Sequence, residues 1–384
     1  MESDTRLERE TINKIMQQRF QITLLICLTL SSLSVAQEYK MSPELWDVTG
    51  AGHVFETFEG KQSLYLFRSR ANLKTEVEFL NGIIEYDIFV TERRGFPGVR
   101  FRIQDAGNFE EFYIRPHQSG NPDANQYTPV FNGLTGWQLY YGSRYAAPVT
   151  YKMNAWNHIK LVIVNSEAEV YINDMEQPAL YIAELKRDPA SGSIGFNGGG
   201  PSPFHVADLK ITKVGNPVLK SKRTPMPDLE EGVIRSWQVS NSFPEKKVDG
   251  VFQLGRDQKQ GLTWENIDSE FPGYANLARF AKINAQNNTT FAKVIITSDK
   301  EQVRKLTYGF SDRVRVYLND KILAGGNDRF TSRDYRFLGT MGYFDEVYLP
   351  LKKGKNELWV AVTENFGGWA VMARFDNQEG IKVD

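Results

Sequence analysis

In Gly82-Ile83-Ile84-Glu85-Tyr86-Asp87-Ile88-Phe89-Val90, the residues Ile84, Tyr86, Ile88 and Val90 share one face of an extended chain. Side chains alternate across a strand, so an apolar residue at every second position buries one face of a sheet and makes no helical stripe. The same period returns in Val99, Phe101 and Ile103, which alternate with Arg100 and Arg102. It returns again in Ile159, Leu161 and Ile163, between His158, Lys160 and Val162. Val170-Tyr171-Ile172 runs into the turn pair Asn173-Asp174. Past residue 40 no long amphipathic helical pattern appears, and turn clusters separate the extended runs at sandwich spacing. The predicted fold class is all-β, built from β-sandwiches.

A chain of 384 residues is too long for one typical domain and fits two. Residues 215–232 read as a linker joining them. Gly215-Asn216-Pro217 and Lys220-Ser221-Lys222-Arg223-Thr224-Pro225-Met226-Pro227-Asp228 are rich in Pro and charge and lack periodicity. Beyond it, strands are predicted at 291–298, 306–310, 314–318, 357–362 and 369–375. Asn319-Asp320-Lys321 is a hairpin turn signal.

The first 36 residues read as a secretory leader. Arg19 precedes the short apolar run 22–33, and Ser34-Val35-Ala36 offers a small-x-small site, with cleavage expected after Ala36. The run is shorter than the roughly 20 residues that span a bilayer. Residues 1–15 are strongly charged and sit oddly before a leader, so translation is expected to begin at Met16, with a long n-region as the alternative. The expected location is secreted or periplasmic, with no transmembrane segment in the mature chain. Cys27, the only cysteine, falls inside the apolar run, so the mature chain would rely on core burial alone, without disulfides.

Lys and Arg number 46 against 47 Asp and Glu, which leaves no electrostatic case for nucleic acid or an anionic membrane. Aromatic residues make up 12% of the chain, and 31 are Gly. That composition suits sandwich cores with tight turns and suits aromatic faces that stack on sugars.

Three passages in the first half resemble the concanavalin-A-like, laminin-G-like jelly roll. They are Asn154-Ala155-Trp156-Asn157-His158-Ile159-Lys160-Leu161 with Ala168-Glu169-Val170-Tyr171-Ile172-Asn173-Asp174; Gly192-Ser193-Ile194-Gly195-Phe196; and Val206-Ala207-Asp208-Leu209-Lys210-Ile211. The resemblance covers residues 44–214, and its nearest branch is the 3-keto-disaccharide hydrolase type. Residues 233–380 resemble a galactose-binding-like jelly roll. The residues that carry this are Ser311-Asp312-Arg313-Val314-Arg315-Val316-Tyr317-Leu318-Asn319-Asp320-Lys321, Leu349-Pro350-Leu351-Lys352-Lys353-Gly354-Lys355-Asn356-Glu357-Leu358, and Gly367-Gly368-Trp369. The two resemblances imply two jelly-roll sandwiches and a carbohydrate partner, an oligo- or polysaccharide. Three functions follow as expectations: a secreted glycan-binding protein, a glycoside-cleaving enzyme of the 3-keto-disaccharide hydrolase type, or a laminin-G-like protein-adhesion module.

The stretch from Arg115 to Gln138 leaves a strand, crosses a Gly/Pro loop and enters another strand. It concentrates planar polar groups and aromatics, the combination that hydrogen-bonds vicinal hydroxyls and covers the apolar face of a pyranose. The candidate ligand-binding residues are Arg115, His117, Gln118, Asn125, Gln126, Tyr127, Trp137 and Gln138. Trp137 or Tyr127 would be the stacking platform. The alternatives are a loop braced by its own Asn and Asp side chains, and a core role for Trp137. Asn121, Asp123 and Asn125 alternate as in a calcium loop, so calcium is the one cofactor the sequence raises, although the Gly and distal Glu of an EF-hand are absent.

Glu85-Tyr86-Asp87 resembles the start of a laminarinase catalytic strand. That motif needs a further Glu where Val90 stands, so a solvent-facing strand is the expectation here. Glu110 and Glu111 are adjacent, so only one of them can enter a cleft. His53, His117, His158 and His205 show no metal-ligand spacing. No nucleophile elbow, phosphate loop or dinucleotide fingerprint is present, so catalytic residues stay unassigned.

Overall fold

The computed structural model describes residues 35–384 apart from Glu76. The expected leader, with Met16 and Cys27, lies outside the described residues except for its last two residues, Val35 and Ala36, which begin the first strand. In chain order the first strands are β1 (Val35–Tyr39), β2 (Trp46–Phe58), β3 (Lys61–Leu73), β4 (Gly82–Val90), β5 (Phe96–Asp105) and β6 (Asn108–Ile114). Then come β7 (Asn125–Phe131), β8 (Leu134–Thr135), β9 (Ala155–Val164) and β10 (Glu167–Ile172). β11 (Leu180–Ile182), β12 (Ser193–Gly199) and β13 (Phe204–Lys213) complete the first sheet.

These strands pair in the order β11-β10-β9-β4-β13-β3-β12-β5-β6-β7-β8, with β1 beside β13 and β2 beside β3. The long strand β3 pairs with β13 through Leu66 and with β12 through Ala71, so it belongs to both walls of a curled sheet. The period-two residues fill the space between the walls. Ile84, Tyr86, Ile88 and Val90 are all buried there, and Tyr86 meets Phe196 of the opposite wall at 5.1 Å. Arg100 and Arg102 alternate with core residues yet are also buried, because both faces of β5 are covered.

The second half holds β14 (Ser236–Ser240), β15 (Trp264–Asp268), β16 (Ala275–Asn276), β17 (Thr289–Ser298), β18 (Gln302–Phe310) and β19 (Arg313–Leu318). It continues with β20 (Lys321–Asn327), β21 (Asp345–Leu351), β22 (Gly354–Thr363), β23 (Ala370–Phe375) and β24 (Ile381–Val383). One sheet runs β15-β14-β17-β22-β19-β20 with β24 beside β17, and the other runs β16-β23-β18-β21. Val294, Val316 and Val360 of the first sheet share a core with Leu306, Leu349 and Val371 of the second. Asn319 and Asp320 both take positive φ, 49° and 72°, and close the β19–β20 hairpin as the sequence predicts. The fold is thus all-β, with two sandwiches.

Residues 215–232 contain no strand, yet part of this stretch is docked rather than free. The fully buried Glu169 on β10 accepts the backbone N–H groups of Lys220, at 3.1 Å, and Ser221, and Tyr171 Oη donates to it at 2.6 Å. The two sandwiches also share core. Tyr274, Met341, Ala370 and Met372 pack with the first, and Phe131 packs with the second. At the junction Gln138 Nε2 donates to Leu338 O at 2.7 Å, and Gln138 N donates to Gly367 O at 3.0 Å. Gly367 has φ +115°, and a Cβ there would overlap the Gln138 carboxamide, so glycine is required.

Candidate functional site

A cavity of about 460 Å³ opens where the outer face of β5, β6 and β12 meets the second sandwich. Strand parity decides what enters it. On β6, Phe112 and Ile114 point into the core, so Glu111, Tyr113 and the following Arg115 point the other way and line the cavity. Adjacent Glu110 faces inward, where Tyr127 Oη donates to its Oε2 at 2.6 Å. Of the two neighbouring glutamates, one enters the cleft.

The polar wall is built tightly. Arg115 Nη1 donates to Asp123 O at 3.0 Å, and its Nη2 donates to Tyr113 Oη at 2.8 Å and to Gln126 Oε1. Gln126 Nε2 in turn holds the backbone carbonyls of Trp137, at 2.9 Å, and Tyr140. Glu111 Oε1 accepts from Asn197 Nδ2 at 2.7 Å. Burial pushes the Glu111 carboxyl above its ordinary range, against the opposing pull of Asn197, Arg100 and Arg70. His117 sits in a short turn, edge-on to Phe96 at 5.4 Å, with its Nδ1 buried and unpartnered. Burial lowers its pKa, and Arg94 and Arg115 lower it further, against a smaller effect of Asp123.

The apolar wall is shared between the sandwiches. The half-buried Trp137 ring stands 5.7 Å from Phe366 and 6.3 Å from Phe330, both of the second sandwich. Phe330 is 38% exposed, Leu338 46% and Phe366 55%, high values for large apolar side chains lining one cavity.

Of the residues singled out from sequence, Arg115, His117, Gln118 and Trp137 line this cavity, together with Asp123. Gln126 stands behind it and fixes Arg115 and Trp137. Three expectations need correction. Tyr127 pairs with Phe112 across β6 and β7, so it shares the core-facing side, and it is fully buried. Asn125 lies opposite Ile114 and is equally buried, with its carboxamide committed to both polar backbone atoms of Ala147. Gln138 is consumed by the junction between the sandwiches. Of the residues that alternate as in a calcium loop, Asn125 has its carboxamide on Ala147, while Asn121 is exposed and donates to Gln118 Oε1. Among the described residues no group of three or more His, Cys, Asp or Glu side chains could hold a metal.

Sequence reasoning missed Arg94, Phe96 and Asn197, and every contribution of the second sandwich. The alternation Glu111-Tyr113-Arg115 opposite Phe112 and Ile114 was the one local signal that could have found the polar wall. Elsewhere Glu85 lies on a half-exposed charged face, 3.5 Å from Lys210 and 3.8 Å from His158, in keeping with a solvent-facing strand.

No protein-family model matches the chain, and no curated protein matches it. Solved structures do overlap with part of it. One is the carbohydrate-binding module CBM66 from Bacillus subtilis, at 15% identity and a TM-score of 0.31, over 44% of this chain and 92% of that one. A second is a Bacillus subtilis protein of unknown function with a galectin-like fold, at 12% identity and a TM-score of 0.35, over 47% and 100%. A third is domain 4 of an extracellular GH43 arabinanase from Geobacillus stearothermophilus in complex with arabinotriose, at 13% identity and a TM-score of 0.34, over 48% and 95%. Among the described residues no helix is long and apolar enough to cross a membrane.

Proposed function

We propose that this chain is an extracytoplasmic saccharide-binding protein and that the cavity between its sandwiches holds the sugar. The observation that carries this reading is the pairing, in one cavity, of a Trp137–Phe330–Phe366 aromatic cluster with Arg115, Asp123 and Asn197. A pyranose has hydroxyls that need planar donors and acceptors and an axial C–H face that packs on aromatic rings. Water alone gives no reason to keep three large apolar side chains partly exposed around one opening. A glycan array followed by calorimetry tests the reading. The wild type is expected to bind a defined saccharide class, and the double variant Phe330→Ser, Phe366→Ser to lose roughly tenfold or more in affinity. Both positions are exposed, so the fold should persist. Unchanged binding by that variant would remove the cavity from consideration.

A second reading is favoured by one observation: the carboxyls of Glu111 and Asp123 both line the cavity, and burial biases Glu111 toward its protonated form. A carboxyl with a raised pKa and a second carboxyl on the same cavity are the residue types that glycoside cleavage uses, in the manner of the 3-keto-disaccharide hydrolase branch. Product release from glycosides or 3-keto-disaccharides by the wild type, abolished in Glu111→Gln, would establish it.

A further inference from the structure

We infer that the bound saccharide carries an anionic substituent, a uronate carboxylate or a sulfate ester, received by Arg115 and Arg94. This rests on the saccharide reading of the same cavity. Arg115 is only 9% exposed, yet its partners are a tyrosine hydroxyl, a carboxamide and a peptide carbonyl, all neutral. A buried guanidinium ordinarily sits against a carboxylate, because a charge withdrawn from water needs an opposite charge to offset its desolvation. Among the described residues neither Arg115 nor Arg94 enters an ion pair. Arg94 instead stacks over Phe96, with Cζ 5.7 Å from the ring centre, at the exposed edge of the cavity.

Neither carboxylate that lines the cavity forms an ion pair with Arg115. Glu111 is engaged by Asn197 and is under the electrostatic influence of Arg100 and Arg70. Asp123 offers its carbonyl, not its carboxylate, to Arg115. The electrostatic balance at His117 agrees: the two arginines act on it more strongly than Asp123 does, so the net local influence is positive. Three of the five N–H donors of Arg115 are used by the protein, which leaves two for a ligand. Asp123 and Asn197 remain suited to the hydroxyls of the same sugar.

The test is calorimetry on the full chain with oligogalacturonate and with a sulfated galactan oligomer. Each is compared with its neutral counterpart, carboxyl-reduced or desulfated. At least one anionic oligomer is expected to bind about tenfold or more tighter than its neutral counterpart, on the scale of a charge-assisted hydrogen bond. The preferred arm distinguishes carboxylate from sulfate. Raising the salt should shrink the preference. Because Arg115 braces the loop, Arg115→Met could fail to fold, so Arg94→Gln carries the comparison. It is expected to narrow the anionic preference several-fold, while Arg115→Lys, which keeps the charge, retains part of it. Equal affinity for charged and neutral oligomers, or an unchanged preference in Arg94→Gln, overturns the inference and leaves the saccharide reading standing. Failure of both charged oligomers to bind likewise overturns the inference, whereas the absence of any binder, charged or neutral, on the glycan array removes the saccharide reading itself.

Discussion

Tyr140 of the first sandwich donates its hydroxyl to Glu270 Oε1 of the second at 2.6 Å, and Lys186 Nζ lies 2.9 Å from the other oxygen of that carboxylate. The Lys186 side chain is wholly buried, and Arg279 approaches the same glutamate at 3.5 Å. Glu270 therefore offsets, together with Glu184 at 2.6 Å from the same ammonium, the burial of Lys186, and it accepts the tyrosine hydroxyl buried at the junction. Burial opposes the charge on Lys186, and Glu270, Tyr145 and Glu184 together more than offset it, raising its pKa.

Removing the carboxylate should cost more than removing the hydroxyl. Glu270→Ala leaves the buried Lys186 ammonium with Glu184, 2.6 Å away, as its remaining carboxylate, and a loss of about 3 kcal/mol, the low end for a broken buried pair, is expected. Tyr140→Phe deletes the hydrogen bond to the charged Glu270 and the one its oxygen accepts from Asn276 Nδ2 at 3.0 Å, for about 1.5–3 kcal/mol. Urea unfolding of both variants checks the order. Equal losses would mean that Glu184 alone suffices to hold Lys186.

Trp137 and Tyr127 should separate binding from stability. Trp137 is half-buried against exposed aromatics, so Trp137→Ala is expected to cost roughly 1–3 kcal/mol of glycan affinity with a small fall in melting temperature. Tyr127 is a core residue, and Tyr127→Ala should lower stability by about 3–5 kcal/mol, with the folded fraction binding normally. Melting temperature and affinity, measured together on each variant, report the split. A large stability loss in Trp137→Ala would return the tryptophan to the core.

Glu110 makes stability depend on pH. Burial drives its carboxyl up to about 7, against the opposing effects of the Tyr127 hydroxyl and Arg102. Between the ordinary glutamate range and that value, the folded chain binds more protons than the unfolded chain. Stability from this group is complete below about pH 4.3 and is lost as the pH rises toward 7. Glu110→Gln has no such proton to lose. Its melting temperature relative to the wild type should climb between about pH 4.5 and 7.5. A difference that stays constant across that window would contradict the assignment.

Residues 222–225 are exposed in the strandless connection, and Lys222 and Arg223 are trypsin sites. Brief trypsin treatment should nick there first. The two fragments should then co-elute in gel filtration, because Gln138, Tyr140 and the shared core hold them together. Separation without denaturant would show that the junction is weaker than its contacts imply.

What the sequence determined by itself was local. Alternation at Ile84, Tyr86, Ile88 and Val90 required a strand with one buried face, and Asn319-Asp320 required a tight hairpin. The polar stretch after Arg115 marked the neighbourhood of the cavity. Which face of each strand would meet that cavity was decided only by tertiary structure. Period two says that Gln126 and Tyr127 point apart, but where both faces of a sheet are covered it does not say which side is core. Pairing with Phe112 sent Tyr127 inward, and pairing with Tyr113 sent Gln126 outward. Phe330, Leu338 and Phe366 lie about two hundred residues beyond Trp137 in the chain and reach its cavity only because the sandwiches dock. No pattern confined to neighbouring residues encodes that docking, because it arises from buried contacts such as Tyr140 with Glu270 that form only once both sheets exist.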